Sequence, residues 1–404
     1  MRAPPAAPAV RSLRRGLGLA VALLGAIAPA RSAGLWDLPA LERAPAVEWG
    51  ARDGLVQEVY YPGEPAAGRP TRVFAYLGRP PAATARPLPA VVLVHGGGGQ
   101  AFRAWAERWA ERGYVALAMD LSGNGPGKVR LPDGGPSLGN PNIFLAADRD
   151  ADFRAGWTYH AVAAAIRGGS LLAALPEVDA TRIGITGISW GGYATCIAAA
   201  LDPRFKVAVP VYGCGYLQDS SYWKADLLDP LPPDRRARWV RLYDPSSYLA
   251  GVRSPILFVT GANDPRYYLD SLCRSAALVP PELRHLAIKI GLKHGHIFDL
   301  PEVDRFIDAV LRHGPLPPQI AAPVFRGGLA RAAVTARDGT ARAELHYAPA
   351  GGSWVDRLWT TVPAALDAGG VSGPLPPHRP LLYYFSLFDA HGVAATSVYS
   401  EVSP

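Results

Sequence analysis

The sequence predicts an α/β protein: a doubly wound, mostly parallel sheet followed by a small β-sandwich-like C-terminal domain. Three observations point there. Apolar runs such as 90–94 and 114–119 have the pattern of strands buried on both faces. They alternate with segments of helical period as far as residue 311. After Gly314-Pro315-Leu316-Pro317-Pro318 the helical period gives way to short alternating segments separated by turn residues.

The elements follow in order. Segments 55–61 and 71–77 alternate around Pro62-Gly63 and Pro65, and read as an antiparallel pair leading into the main sheet. Residues 90–94 and 114–119 are strands, and between them Phe102, Trp105, Ala106, Trp109 and Ala110 recur at helical spacing, which makes a parallel crossover unit. The alternation continues with a helix over 151–175, a strand over 182–186, a helix over 190–201 and a strand over 205–212. It ends with strands at 255–260 and 286–290 and helices at 268–279 and 302–311, the last with Asp299 as its cap. A Gly/Pro-rich loop at 121–142 and an aromatic-rich insertion at 213–251 interrupt it, in places where such sheets cover their sites. The domains are therefore a leader at 1–30, a catalytic domain at 48–314 and a β-rich accessory domain at 319–404.

Composition limits the function classes. With 404 residues, 49% hydrophobic and 19% charged, the chain is neither disordered nor fibrous, and three cysteines cannot staple it. Those cysteines, Cys196, Cys214 and Cys273, read as small buried hydrophobes, although two could bridge in an oxidising compartment. The formal charge of +7 includes Arg2, Arg11, Arg14 and Arg15, which precede a 13-residue apolar run at 16–28 and a small-residue Ala28-Pro29-Ala30 site. That is export-signal architecture, with Arg14-Arg15 a loose match to the twin-arginine route, and the run is too short to span a bilayer. Its loss leaves about +3 and no basic cluster, which argues against a nucleic-acid partner.

Gly187-Ile188-Ser189-Trp190-Gly191 lies between a strand and a helix. There a sharp turn needs small flanking residues and lifts the Ser189 hydroxyl above the sheet edge, making Ser189 the candidate nucleophile. His95-Gly96-Gly97-Gly98-Gly99 follows the first central strand, and Gly97, Gly98 and Trp190 are the candidate N–H donors of an oxyanion hole. The loop lacks the Gly-Lys-Ser/Thr ending of a phosphate cradle, and His95 reads as a structural residue that fixes it. Asp264, in Gly261-Ala262-Asn263-Asp264 at the end of a later strand, is the expected acid, with Asp270 as the spare. Of the two histidines in Lys293-His294-Gly295-His296, the small residue before His296 favours it as the base over His294. His160 reads as a core residue. The chemistry is acyl transfer through an acyl-enzyme, which requires no metal or cofactor.

Taken together these motifs, with Trp157-Thr158-Tyr159-His160 and Val209-Pro210-Val211-Tyr212-Gly213-Cys214-Gly215, resemble the α/β-hydrolase fold. More narrowly, they resemble the secreted acetylxylan-esterase-like proteins of the prolyl oligopeptidase branch. The resemblance implies Ser189, Asp264 and His296 as a triad and acetyl esters of carbohydrates, small or polymeric, as substrates. One position departs from it: deacetylases of this branch usually carry Gln after the nucleophile, where this chain has Trp190. A serine peptidase is the enzymatic alternative, but the roughly 60 residues between the leader and the first central strand cannot form the gating propeller of such enzymes. The insertion's Tyr216, Tyr222, Trp223, Trp239, Tyr243 and Tyr248 serve either sugar stacking or the insertion's own core. Trp354, Trp359, Tyr383 and Tyr384 read as strand core, with a polysaccharide-binding module as the alternative. The sequence leaves the oligomeric state open.

Overall fold

A short helix, α1 (Leu38–Leu41), precedes three antiparallel strands, β1 (Glu48–Asp53), β2 (Val56–Pro62) and β3 (Arg72–Gly78). The computed structural model describes residues 34–81, 87–144, 153–335 and 339–403, so the leader expected at 1–30 lies outside the described residues. Alternation foretells β2 and β3. It misses β1, an edge strand with five of its six residues exposed and hence no buried face to mark it.

The core of the sheet follows: β4 (Leu88–Val94), α2 (Arg103–Glu111), β5 (Val115–Met119), α3 (Asn140–Phe144), α4 (Trp157–Ala173), β6 (Val178–Ile188), α5 (Trp190–Leu201), β7 (Phe205–Val211), α6 (Pro233–Tyr243), β8 (Ile256–Gly261), α7 (Leu269–Ala277), β9 (Arg284–Lys289) and α8 (Pro301–Leu311). The nine strands lie in the order β1-β2-β3-β5-β4-β6-β7-β8-β9, and all pairings from β5 to β9 are parallel. Every residue of β4, β5 and β8 is buried, as strands covered by helices on both faces must be. Helix α2 turns Trp105, Ala106, Trp109 and Ala110 inward, whereas α4 is buried almost all round. Helix α4 starts at Trp157, later than the expected 151, after a single turn at Phe153–Ala155. The expected Asp299 cap of α8 is not made: Leu300 holds the cap position, and the exposed Asp299 lies 3.5 Å from Arg108.

The β-rich C-terminal region holds three antiparallel sheets. Strands β10 (Gln319–Ile320) and β13 (Val334–Thr335) form a pair. Strands β11 (Val324–Arg326), β12 (Leu329–Ala332), β17 (Gly370–Pro374) and β16 (Ala365–Asp367) form the second sheet in that order. The third runs β15 (Thr360–Pro363), β14 (Thr340–Pro349), β18 (Leu381–Asp389), β19 (Ala394–Thr396), with β20 (Ser400–Val402) also paired to β18. Ala330, Leu345, Val371, Phe385 and Leu387 make a second core.

This region is docked on the main sheet. Tyr384 is fully buried in the main core, and Trp354, Trp359 and Tyr399 pack against the same core. Strand β9 is an edge strand, and edges that present unpaired N–H groups invite further pairing. Here the Ile288 N–H donates to Thr396 Oγ1 (3.2 Å), Arg305 pairs with Asp389 (2.6 Å), and the Glu302 carboxylate accepts from Ala394 N–H (3.3 Å). The C-terminal aromatics are thus spent on packing, with Trp359 edge-on to Tyr384 at 5.1 Å. Among the described residues no helix is long and apolar enough to cross a membrane.

Candidate active site

The site is assembled at the C-terminal ends of β4, β6, β7, β8 and β9, where open α/β sheets place their reacting groups. Strand β6 ends in Ile188, and α5 begins two residues later, so the chain must reverse at Ser189. Ser189 does so at φ +59° and ψ −119°, a conformation that costs a residue with a side chain roughly 1–3 kcal/mol. Neighbouring contacts hold it there. The Ser189 N–H donates to Val211 C=O (2.9 Å), and its own C=O accepts from Tyr193 N–H (2.9 Å). The flanking glycines are obligatory: a Cβ on Gly187 would strike the Gly191 carbonyl, and one on Gly191 would strike those of Val94 and His95.

The Ser189 hydroxyl meets His294. His294 Nε2 lies 2.9 Å from Ser189 Oγ, and its Nδ1 lies 2.7 Å from Asp264 Oδ2. Asp264 is buried at the end of β8, and its other oxygen accepts N–H bonds from Arg266 and Tyr267, both 2.8 Å. The imidazole is held between rings, Tyr212 at 4.6 Å and Tyr267 nearly parallel to it at 6.3 Å. Tyr212 also donates its hydroxyl to Lys293 C=O (2.8 Å), which fixes the residue just before His294.

His296, expected as the base, is not brought to Ser189, and this corrects the sequence reading. Its Nε2 accepts the Gly96 N–H (3.1 Å) and its ring packs on Phe102 at 4.9 Å, which places it under the glycine loop. The reason given for preferring it also fails. A Cβ at Gly295 would meet nothing within 4 Å, so that glycine is not there to let an imidazole turn. Burial, then the neighbouring His95, pushes the His296 pKa down from 6.5 to about 4. Its lone pair thus stays available to Gly96.

His95 supports the same loop as expected. Its Nε2 accepts from Leu121 N–H and its Nδ1 donates to Gly96 C=O, each at 2.8 Å, so a neutral tautomer is fixed, and burial lowers its pKa. A Cβ on Gly99 would fall 2.7 Å from His95 Nδ1 and 2.8 Å from His296 Nε2, so the two imidazoles shape the loop from below. Gly98 takes φ +71°, and its carbonyl accepts from Lys128 Nζ (2.8 Å). Gly97 lies against the indole of Trp190, the first residue of α5.

The Trp190 ring is enclosed by Trp223 (4.5 Å), Tyr193 (5.0 Å), Phe144 and Tyr267 (both 5.9 Å) and Trp157 (6.0 Å). Two covering segments meet there: Trp239 of the insertion donates Nε1–H to Ile143 C=O (2.9 Å) and packs tilted against Phe144. Trp223, Trp239, Tyr243 and Tyr248 are buried, so most insertion aromatics serve packing. Tyr222 is the exposed exception, 48% accessible with the Arg266 guanidinium 3.8 Å over its ring. All three cysteines are free and buried, and burial pushes the Cys273 thiol up to about 12. The spare acid Asp270 lies on α7 and accepts from Ser220. Sequence reasoning missed Tyr212 and Tyr267 as the rings that hold the base; the only signal was their place just after β7 and just after Asp264.

The sequence model of the acetyl xylan esterase (AXE1) family matches residues 48–230. That span carries the glycine loop and the Ser189 turn, while Asp264 and His294 lie beyond it. The fold is similar to the acetyl xylan esterase from Paenibacillus sp. R4, with TM-score 0.56 and 19% identity over 69% of this chain and 94% of that one. It is likewise similar to acetyl xylan esterase 1 from Thermoanaerobacterium sp. JW/SL YS485, with TM-score 0.53 and 20% identity over 70% and 94%. Among curated proteins none matches the sequence. The chain is an α/β-hydrolase. Within that class it is a carboxylic ester hydrolase.

Two outcomes follow from the two histidines. His294→Ala is expected to lower kcat for an ester by about 10⁴-fold or more, as loss of a triad member does. His296→Ala should cost about 10- to 100-fold, because it only loosens the glycine loop; equal losses would contradict the division of roles. For stability, burial holds His285, His296 and His346 neutral with pKa values of about 4 in the folded chain. The unfolded chain binds protons first as pH falls through 6.5, so stability should be complete above about 6.5 and decline towards pH 4. Denaturant midpoints across that range check this, and a flat profile would contradict it.

Proposed function

We propose that the protein is an exported serine esterase that removes small acyl groups, acetyl above all, from carbohydrate esters through Ser189, His294 and Asp264. The observation that carries the reading is the hydrogen-bonded chain from Ser189 Oγ through both imidazole nitrogens to the buried Asp264. The AXE1 match over 48–230 supports the acetyl ester substrate, and the rings packed around Trp190 support a small acyl group. Export rests on the basic and apolar pattern of residues 1–30.

In this mechanism His294 Nε2 takes the Ser189 proton as Oγ attacks the ester carbonyl. Asp264 keeps Nδ1 protonated and stabilises the imidazolium that forms. Because the Gly96 N–H is engaged by His296, the oxyanion falls to the N–H groups of Gly97, Gly98 and Trp190, the last at a helix start where N–H groups lack intrahelical partners. Each such donor is worth about 3 kcal/mol of barrier. Collapse expels the alcohol, which takes the imidazolium proton. Water, deprotonated by His294, then releases the acid and restores Ser189.

The purified protein is expected to hydrolyse p-nitrophenyl acetate faster than the butyrate and to release acetate from acetylated xylan. Ser189→Ala should abolish both. An undiminished rate in that variant, or faster turnover of butyrate, would overturn the reading.

A further inference from the structure

We propose that the C-terminal β region is a working part of the catalytic centre: its 354–357 loop grips Asn263 and thereby positions Asp264 against His294. This inference rests on the triad reading above. Asn263 immediately precedes Asp264, and its side-chain Nδ2 faces three backbone carbonyls of that loop, Trp354 (3.1 Å), Val355 (3.1 Å) and Arg357 (2.8 Å). An amide nitrogen carries two hydrogens, so three converging acceptors saturate it.

The gripping loop is itself built to be rigid. Arg357, only 7% exposed, donates Nε–H to Pro349 C=O (3.2 Å) and Nη2–H to Ala350 (2.9 Å) and Gly351 (3.3 Å), which ties the loop to the end of β14. Its guanidinium lies 4.0 Å over the Trp354 ring, and that ring packs on Tyr399 at 5.3 Å. A buried guanidinium is costly unless its donors are used; here Nε and Nη2 are used, while Nη1 has no hydrogen-bond partner among the described residues. The carbonyls it gathers are those of the segment leading into the loop.

The acid loop is thus bracketed. On one side its own turn supplies the Arg266 and Tyr267 N–H groups to Asp264; on the other the C-terminal loop holds Asn263. Asp264 N–H bonds back to Gly261 C=O (3.2 Å), so the stretch between β8 and the acid is a tight turn, and a shift at residue 263 passes directly to 264. Asn263 and Arg357 are positioning residues. Misplacing a catalytic group by about 1 Å from a remote site is worth roughly 100-fold in rate.

The test uses the full chain with Asn263→Ala, Asn263→Ser, which keeps one donor, and Arg357→Met, which loosens the loop without touching the acid turn. With p-nitrophenyl acetate, Asn263→Ala is expected to lose about 10- to 100-fold in kcat with KM within about twofold. The acid limb of its kcat/KM profile should move to lower pH, because an imidazolium that loses its carboxylate releases its proton more readily. Asn263→Ser should fall between, and Arg357→Met should shift both quantities in the same direction. Wild-type kcat and an unmoved acid limb in any of these variants that is folded at 25 °C, even with a lowered Tm, would reduce the contact to packing and overturn the proposal. Failure of the triad reading has a different signature, namely activity surviving Ser189→Ala in an otherwise wild-type chain.

Discussion

At the tip of β6 one residue with a side chain is held at φ +59°, and the surrounding backbone leaves it no alternative. Gly187 and Gly191 bring the Gly191 carbonyl of α5 and those of Val94 and His95 at the end of β4 to within contact of the turn, and Val211 accepts its N–H. Any relaxation of Ser189 towards an ordinary conformation would have to move β4, β7 and the start of α5 together. The strain, roughly 1–3 kcal/mol, is therefore borne by a sheet in which β4, β5 and β8 are wholly buried. What the sheet gains is a hydroxyl fixed in space before any substrate arrives, which is the precondition for orienting a base against it.

Around that fixed point two histidines from one three-residue stretch do different work. His294 is placed by rings and by a buried carboxylate. His296 sits under the glycine loop, held neutral by burial so that it can accept the Gly96 N–H. Its acceptance of that bond occupies the Gly96 N–H, and in the proposed mechanism the following N–H groups are left for the oxyanion. His95 performs the companion task from the end of β4, with its tautomer set by Leu121. In the proposed mechanism one imidazole reacts and two hold the backbone of the site.

The central strands were legible because burial on both faces leaves continuous apolar runs, and the Ser189 turn because its glycines are forced by backbone contacts close in sequence. Asp264 was legible from its position after β8. The choice between His294 and His296 was not. Both stand in one irregular loop after β9, and what tells them apart is distant in sequence: Ser189, Asp264 and the rings of Tyr212 and Tyr267 around His294, and the Gly96 N–H on His296. Strand β1 escaped because its residues face solvent. Tyr383 and Tyr384 lie in β18 as expected, whereas Trp354 and Trp359 pack from the segment before β15 and belong to no strand; nothing local to Asn263 announces three carbonyls about ninety residues away.

The most direct test of the account is covalent. A fluorophosphonate that reacts only with an activated serine would be incubated with the purified chain and the adduct mapped by peptide mass spectrometry. A single adduct is expected on Ser189, lost in His294→Ala and still formed in His296→Ala. An adduct on a different residue, or labelling of Ser189 at an unchanged rate without His294, would contradict it.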